Sequence, residues 1–209
     1  MRIKIALFFG IACLQLVSFA QGQLVITEIM QNPAAVSDSS GEWFEIYNAG
    51  PSTVELLNFR FEDESTASEF FTVSSSLLIA SGDYLVFGIN DDLSTNGNIP
   101  VDYEYSGLSL GNSSDGLVIR DTTLNIIDEV VWDNGLEFPD PSGASMMLIG
   151  SDPLIDNALG SNWAESTNML SSGDFGTPGS GNFSAVPEPS SVVVFLVATT
   201  ILARKRRLR

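Results

Sequence analysis

Short runs of β-branched and aromatic residues, each ended by Gly, Asn, Pro or Ser, follow one another from residue 24 to residue 149. Such residues suit pleated, half-buried strands, and Gly and Pro end them. No segment of helical periodicity and length interrupts these runs. Strands are predicted at 24–30, 42–48, 54–61, 70–73, 76–79, 84–89, 108–110, 116–121, 125–132 and 144–149. Many short strands at close spacing predict an all-β sandwich.

The residues that follow the strands change in composition. Residues 171–185 are rich in Gly and Ser and contain few large apolar side chains. Such sequences are typical of flexible spacers. The sequence therefore predicts one β-sandwich domain over residues 23–170 and a linker over residues 171–185.

The last 24 residues combine three parts with different physical properties. Prolines keep the first part extended, an apolar run over 192–203 can enter a bilayer, and terminal cations resist crossing it. As a helix at about 1.5 Å per residue, the run reaches roughly 18 Å against a hydrocarbon core of about 30 Å. The residues of the first part are Val186, Pro187, Glu188 and Pro189, and the cations are Arg204, Lys205, Arg206 and Arg207.

This arrangement closely resembles the PEP-CTERM sorting tail of bacteria. The resemblance covers residues 186–209 and implies that an exosortase reads the tail at the membrane. The shortness of the apolar helix favours a transient hold over a lasting span. An ordinary C-terminal membrane anchor is the alternative, and under both interpretations the domain faces outward.

The N-terminus carries the pattern of a secretory signal peptide over residues 1–20. Arg2 and Lys4 precede an apolar helix-forming segment, and Ser18 and Ala20 supply the small residues that a signal peptidase recognises. Cleavage is predicted between Ala20 and Gln21. A lipoprotein signal built on Cys13 is disfavoured, because the apolar run before it is very short.

The exported part is strongly acidic and lacks several reactive side chains. Between Gln21 and Ala203 the basic residues are Arg60 and Arg120, against 26 acids, which gives a net charge of −24. A surface of this charge repels phosphate backbones, so no nucleic-acid partner is expected. The same stretch contains no His, Lys or Cys, which excludes Ser-His-Asp and Cys-His nucleophiles, Schiff bases and zinc sites built on His or Cys. Carboxylate chemistry remains, but no catalytic residue is predicted.

Three glutamates lie within predicted strands. If Phe44 and Ile46 face the core, alternation places Glu45 on the opposite face, where solvent exposure is expected. Glu28 and Glu42, near strand ends, are expected to accept hydrogen bonds from backbone N–H groups, with cation binding as the alternative.

The loop that begins at Asp92 is the best candidate for a metal site. It offers oxygen ligands at positions 1, 3 and 5 and Gly at position 6, as an EF-hand calcium loop does. The pattern then fails, because Tyr103 stands at position 12 and no flanking helices are evident. Calcium bound by Asp92, Asn96 and Asp102 is the hypothesis, and a polar surface loop is the alternative.

Several stretches together form a pattern that a known family shares. They are residues 24–33, 41–48, 54–59, 82–86, 108–121 and 162–164, and the terminal Gly176-Thr177-Pro178-Gly179. In this order they resemble the lamin-tail domain, an immunoglobulin-like β-sandwich found in nuclear lamins and in bacterial surface proteins. The resemblance extends from residue 23 to residue 182 and implies a fold but no single function.

These observations lead to an exported surface or matrix protein with a structural or adhesive role and no enzymatic activity. Exosortase and signal peptidase are the expected partners during export, and extracellular polysaccharide or other surface proteins afterwards. A calcium-assisted carbohydrate-binding module is the alternative, with Tyr103, Tyr105 or Trp132 stacking on sugar rings. A glycoside hydrolase is a further alternative, and it needs two carboxylates about 5–9.5 Å apart in a groove.

Overall fold

The computed structural model describes residues 24–66 and 68–181. Within them the fold is almost entirely β, with one four-residue α-helix, α1 (Asp38–Gly41), and one 3-10 turn (Gly160–Asn162). The strands are β1 (Leu24–Met30), β2 (Trp43–Asn48), β3 (Val54–Glu55), β4 (Arg60–Asp63), β5 (Phe70–Thr72), β6 (Leu78–Ile79), β7 (Tyr84–Gly88), β8 (Tyr103–Glu104), β9 (Ser114–Arg120), β10 (Ile126–Asp133), β11 (Met146–Leu148) and β12 (Trp163–Glu165).

Two sheets face each other. The larger has six strands in the order β12-β11-β1-β2-β7-β8, and the smaller has four in the order β10-β9-β4-β5. All pairs in these sheets are antiparallel except β7 with β8. A separate two-stranded ribbon consists of β3 and β6, and the Asn48 side chain of β2 donates a hydrogen bond to its Ile79 carbonyl at 3.0 Å. The predicted all-β sandwich is therefore confirmed.

Aromatic side chains from both sheets form the centre of the core. The Phe44 and Phe87 rings of the large sheet stack with centroids 5.0 Å apart, and Phe61 of the small sheet lies 4.7 Å from Phe87. Phe61 also stacks on Phe71 at 4.9 Å. Because the contact between Phe61 and Phe87 crosses from one sheet to the other, the burial of these rings stabilises the face-to-face packing of the sheets.

Local patterns predicted several strands correctly, predicted two regions incorrectly and missed the short strands β8 and β12. The bounds of β1 are as predicted. The predicted strand 54–61 is broken, since Asn58 adopts a left-handed backbone with φ of 67° and separates β3 from β4. Residues 108–110 lie in no strand, although the Leu108 and Leu110 side chains are buried. Their apolar side chains are buried within a loop, and an apolar pattern alone does not distinguish a buried loop from a buried strand.

The prediction of a linker from residue 171 is wrong for the described part of that segment. Residues 170–181, called the strap below, fold back across the outer face of the large sheet. Phe175 accepts a hydrogen bond from the Ser145 N–H and donates one to the Gly143 carbonyl, each at 2.9 Å. The buried Asp174 carboxylate accepts the N–H groups of Ala34 and Ala35. The strap is therefore an integral layer of the domain.

Glycine in the strap serves close packing. A Cβ atom added to Gly176 would lie 2.9 Å from the Trp43 ring and 3.3 Å from a Glu28 carboxylate oxygen. Only a residue without a side chain lets the backbone approach this closely. The Gly-rich composition that indicated flexibility therefore marks a tight contact at this position.

The two terminal helices expected from the sequence, in residues 1–20 and 186–209, lie outside the described residues. The same holds for linker residues 182–185. Across residues 24–66 and 68–181, the structure contains no apolar helix of the length that a membrane crossing requires.

Candidate functional site

Two glutamates on neighbouring strands lie beneath the strap. Glu28 of β1 and Glu45 of β2 are directly paired across the sheet, and each is 1% exposed. A β-bulge between Ile26 and Glu28 changes the alternation of β1, so that Ile26 and Ile29 both enter the core while Glu28 faces outward. The predicted face of Glu45 is correct, but its predicted exposure is wrong because the strap covers that face.

The strap donates hydrogen bonds to both carboxylates. The Thr177 N–H donates to Glu28 Oε1 at 2.7 Å, and the Thr177 hydroxyl donates to Glu28 Oε2. Ser145 adds a third donor to Glu28, through its hydroxyl. Glu45 Oε2 accepts the Gly179 N–H at 2.8 Å, and its Oε1 accepts the Thr27 hydroxyl at 2.8 Å. The two side chains therefore hold the strap against the sheet.

The pKa values of Glu28 and Glu45 are set by burial, and within residues 24–66 and 68–181 no cation lies beside the pair. Burial raises the pKa of Glu28, and burial together with the Glu28 charge raises the pKa of Glu45 to about 8. Arg60 and Arg120, the only basic residues between positions 21 and 203, both form ion pairs with Glu62 on the other sheet. With a pKa of about 8, Glu45 holds its proton near neutral pH, whereas the three hydrogen-bond donors to Glu28 favour the charged form of that carboxylate.

The Thr177 hydroxyl gives a direct test of this contact. Thr177→Val keeps the backbone N–H and the side-chain shape but removes one hydrogen bond to Glu28. Loss of a hydrogen bond to a charged group is expected to lower the free energy of unfolding by about 1.5–3 kcal/mol. Denaturant unfolding measures the loss, and hydrogen exchange at Gly179 locates it. The control is Ser180→Ala, which removes an exposed hydroxyl of the same strap that donates to the Thr177 carbonyl and to no carboxylate. An equal effect of both changes would contradict the assignment.

An open groove of about 580 Å³ lies beside the pair, between the strap and the loop before β8. Its lining includes Met147, Met169, Leu170 and Pro178, and every residue that lines it is uncharged. The described groove therefore presents no carboxylate, and Glu28 and Glu45 are sealed under the strap. A glycoside hydrolase needs two carboxylates open to a concavity, so this groove does not supply its catalytic pair.

Glu42 performs the structural role that its position near a strand end predicts. Its carboxylate is buried and accepts the Leu110 N–H at 3.0 Å. Burial raises the pKa of Glu42 to about 7, with the nearby Asp38 and Asp115 charges adding to the effect. Glu42 thus holds the loop after β8, which contains Leu108 and Leu110, against the start of β2.

The three candidate calcium ligands each bond to the protein itself. Asp92 Oδ1 accepts the Ser94 N–H at 2.9 Å, and Asp102 Oδ2 accepts the Val86 N–H at 2.8 Å. Asn96 is buried, and its amide bonds the backbone of the loop, including both the N–H and the carbonyl of Ile99. Among the described residues, no group of three or more Asp, Glu, His or Cys is arranged to hold a metal ion. These hydrogen bonds give all three side chains a structural role: Asp92 and Asn96 stabilise their own loop, and Asp102 holds its segment against β7.

Calcium binding stays a prediction with a direct measurement. If Asp92, Asn96 and Asp102 bind calcium, titration with millimolar calcium releases or absorbs heat and raises the melting temperature, because a ligand that binds the native state stabilises it. Asp92→Asn should weaken both effects. A titration with neither heat nor a rise in melting temperature removes the hypothesis.

Two of the three aromatic residues proposed for sugar stacking belong to the core. Tyr105 is 3% exposed and stacks on Phe71 at 4.9 Å, and Trp132 is 1% exposed and donates its indole N–H to the Gly111 carbonyl. Tyr103 is half-buried, with its ring 5.9 Å from Phe71. Tyr105 and Trp132 therefore offer no ring face to a sugar.

Sequence reasoning missed the importance of Thr177 and Gly179. The signal was present, because Gly176-Thr177-Pro178-Gly179 was part of the resemblance that placed these residues in the domain. The Gly- and Ser-rich composition of residues 171–185 led instead to the prediction of a linker. The sorting residues Val186–Pro189 and Arg204–Arg207 and the cleavage pair Ala20 and Gln21 lie outside the described residues.

The fold and site define a class: a two-sheet β-sandwich whose buried acids serve packing. The chain belongs to the lamin tail domain family, whose sequence model matches residues 18–134. The match ends before β11, β12 and the strap, although β11 pairs with β1 in the large sheet. The resemblance drawn from the sequence extended further, to residue 182. No curated protein matches the chain.

Proposed function

We propose that this chain is an exported bacterial surface or matrix protein that acts by contact, without catalysis, through its lamin-tail sandwich. The observation that carries the proposal is the order of the sequence: a signal-peptide pattern, an acidic domain, a Pro-Glu-Pro motif, an apolar run and a basic end. This order resembles that of proteins exported through an exosortase. A domain of this charge repels anionic polymers and stays soluble outside the cell.

The geometry supports a role in contact over one in chemistry. The buried carboxylates Glu28, Glu42 and Glu45 all accept hydrogen bonds that fix loops or the strap. The open groove beside the strap is uncharged, which suits a neutral partner. We propose extracellular polysaccharide or other surface proteins as the partners of the domain.

Fractionation with mass spectrometry of both ends of the mature protein tests the export. The expected mature protein begins at Gln21, is found in the envelope or medium, and has lost the residues beyond the Pro-Glu-Pro motif. Replacing Pro187, Glu188 and Pro189 by alanine should leave an unprocessed chain at the inner membrane. Ser190→Ala, next to the motif, is the matched control.

The outcomes separate the alternatives. A mature protein that keeps its C-terminus in the membrane identifies an ordinary anchor and removes the exosortase step. The intact chain in the cytosol overturns export altogether. The adhesive role is tested by pull-down on the producing organism's own exopolysaccharide, with and without a chelator, because retention that a chelator abolishes would indicate the calcium-assisted module.

A further inference from the structure

The chain contains three tryptophans, and the indole of Trp43 differs from the other two in its hydrogen bonding. All three side chains are buried. Trp132 donates its Nε1–H to the Gly111 carbonyl at 2.9 Å, and Trp163 donates its own to the Asn157 carbonyl at 2.8 Å. The Trp43 Nε1 atom has no hydrogen-bond partner among the described residues. A buried donor that gives up its bond to water without a replacement is costly, so this N–H group calls for an acceptor.

A small cavity lies beside Trp43, beneath the strap. Trp43 lines it together with residues of the strap and of the loop before β8, and every lining residue is buried or half-buried. The space in it that the centre of a water molecule can occupy is about 10 Å³. A cavity of this size holds about one water molecule and nothing larger. The polar side chains in the lining, besides Trp43, are Asn96, Ser172 and Asp174.

These polar side chains retain hydrogen-bonding capacity. The Asp174 carboxylate accepts two backbone N–H groups, those of residues 34–35, whereas an ionised carboxylate offers about four lone-pair sites. Asn96 Oδ1 accepts the Ile99 N–H at 3.0 Å, and an amide oxygen has a second lone pair. Ser172 Oγ accepts the Asp174 N–H at 3.4 Å, and its hydroxyl hydrogen can still donate. The cavity therefore offers both donors and acceptors.

This mixture of donors and acceptors selects the occupant. A metal cation would face the Trp43 N–H, which is a donor only and would stay without an acceptor. An anion would meet the Asp174 carboxylate. Water both accepts and donates, and a buried water typically makes about three hydrogen bonds to polar groups that otherwise lack partners.

We propose that this cavity binds a water molecule, which accepts the Trp43 indole N–H and donates to the Asp174 carboxylate and to Asn96 Oδ1. The water joins β2, the loop before β8 and the strap, which are distant in sequence. The water and the Ile99 N–H use both lone pairs of the Asn96 oxygen, so a calcium ion at that oxygen has to displace the water. The site belongs to the domain itself and is independent of export and of processing.

Magnetisation transfer between water and the indole protons tests the site in the full chain, labelled with ¹⁵N at tryptophan and solubilised in detergent. A water molecule that stays beside Trp43 longer than the protein takes to tumble should give cross-peaks to the Trp43 Hε1 proton of opposite sign in NOE and ROE experiments. Direct proton exchange gives the same sign in both. Trp132 and Trp163 should give no peaks of opposite sign, because their N–H groups bond to carbonyl oxygens.

A variant excludes a relay through the nearest hydroxyl group. Ser172→Ala removes a hydroxyl whose exchange with solvent could carry magnetisation to Trp43, and the cross-peaks should persist in it. Unchanged Trp132 and Trp163 resonances show that the variant is folded. The proposal is overturned if Trp43 gives no water cross-peak, if its peaks have the same sign in both experiments, or if Ser172→Ala abolishes them. Peaks of equal intensity at all three tryptophans also overturn it, because contact with water then does not mark this cavity.

Discussion

Phe61→Ala is expected to lower the free energy of unfolding by about 3–5 kcal/mol. The Phe61 ring is fully buried and lies within 5.5 Å, centroid to centroid, of Phe44, Phe71 and Phe87. Its removal leaves a cavity where the two sheets meet, and the surrounding rings belong to strands whose backbones are fixed by hydrogen bonds. The cavity can therefore collapse only in part, and the loss includes both the transfer of the ring and the contacts around it.

Phe70→Ala is the matched control for this change. Phe70 lies on β5 of the same hairpin but on its outer face, 39% exposed, with the Arg60 guanidinium 3.7 Å from its ring centroid. The same deletion there should cost about 1 kcal/mol or less, since the ring is partly in water and an exposed cation–π contact is weak. Chemical denaturation of both variants measures the difference. Equal losses would contradict the placement of the core between the sheets.

The stability of the domain is expected to fall as the pH rises from about 4.5 to about 8. Burial raises the pKa of Glu45 to about 8 in the folded protein, so the folded state holds a proton that the unfolded chain releases near its usual pKa of 4.5. The unfolded state then binds fewer protons across this range, and the free energy of unfolding decreases with pH. A pKa difference of this size corresponds to about 5 kcal/mol.

Glu45→Gln should remove most of this dependence. The amide keeps an oxygen acceptor for the Gly179 N–H but carries no charge at any pH, so the variant should be more stable than the wild type at pH 8 and similar at pH 4.5. Some dependence remains from Glu42, whose pKa burial raises to about 7. Urea unfolding at a series of pH values gives the slope. Glu104→Gln, which removes an exposed acid from β8, controls for the change in net charge.

The outcome at alkaline pH also tests the strap. If Glu45 ionises beside Glu28, repulsion between the carboxylates should loosen the strap before the sandwich unfolds. The protection factor of the Gly179 amide, which compares its exchange rate with the intrinsic rate at the same pH, should then fall as the pH rises. A wild-type profile that stays flat between pH 4.5 and pH 8 would contradict the protonated state assigned to Glu45.

Local sequence patterns predicted those parts of the fold that local physics controls. The run from Leu24 to Met30 is rich in branched residues and forms a strand with those bounds, because a strand preference and two bounding turns lie within one short segment. The pattern failed at Asn58, where a single left-handed residue divides a predicted strand. It also failed at Leu108 and Leu110, because burial and strand pairing are separate properties that apolar residues alone do not resolve.

The candidate site was predicted only in part, and Glu45 shows why. Alternation along β2 correctly places Glu45 opposite Phe44 and Ile46, because side-chain direction is a property of the strand itself. Whether that face meets water depends on a segment more than 130 residues away, since the Gly179 N–H that bonds Glu45 belongs to the strap. No local pattern contains that information.

The sequence by itself determined the class of the fold, the acidity of the domain and the absence of His, Lys and Cys chemistry between positions 21 and 203. These follow from composition and from periodicities within a few residues. Only the tertiary structure decided that a Gly- and Ser-rich segment is a packed layer, that two carboxylates lie beneath it and that an uncharged groove lies beside it. The reason is that a buried polar pair and its donors come from distant parts of the chain, and only the complete packing brings Glu28 and Thr177 together.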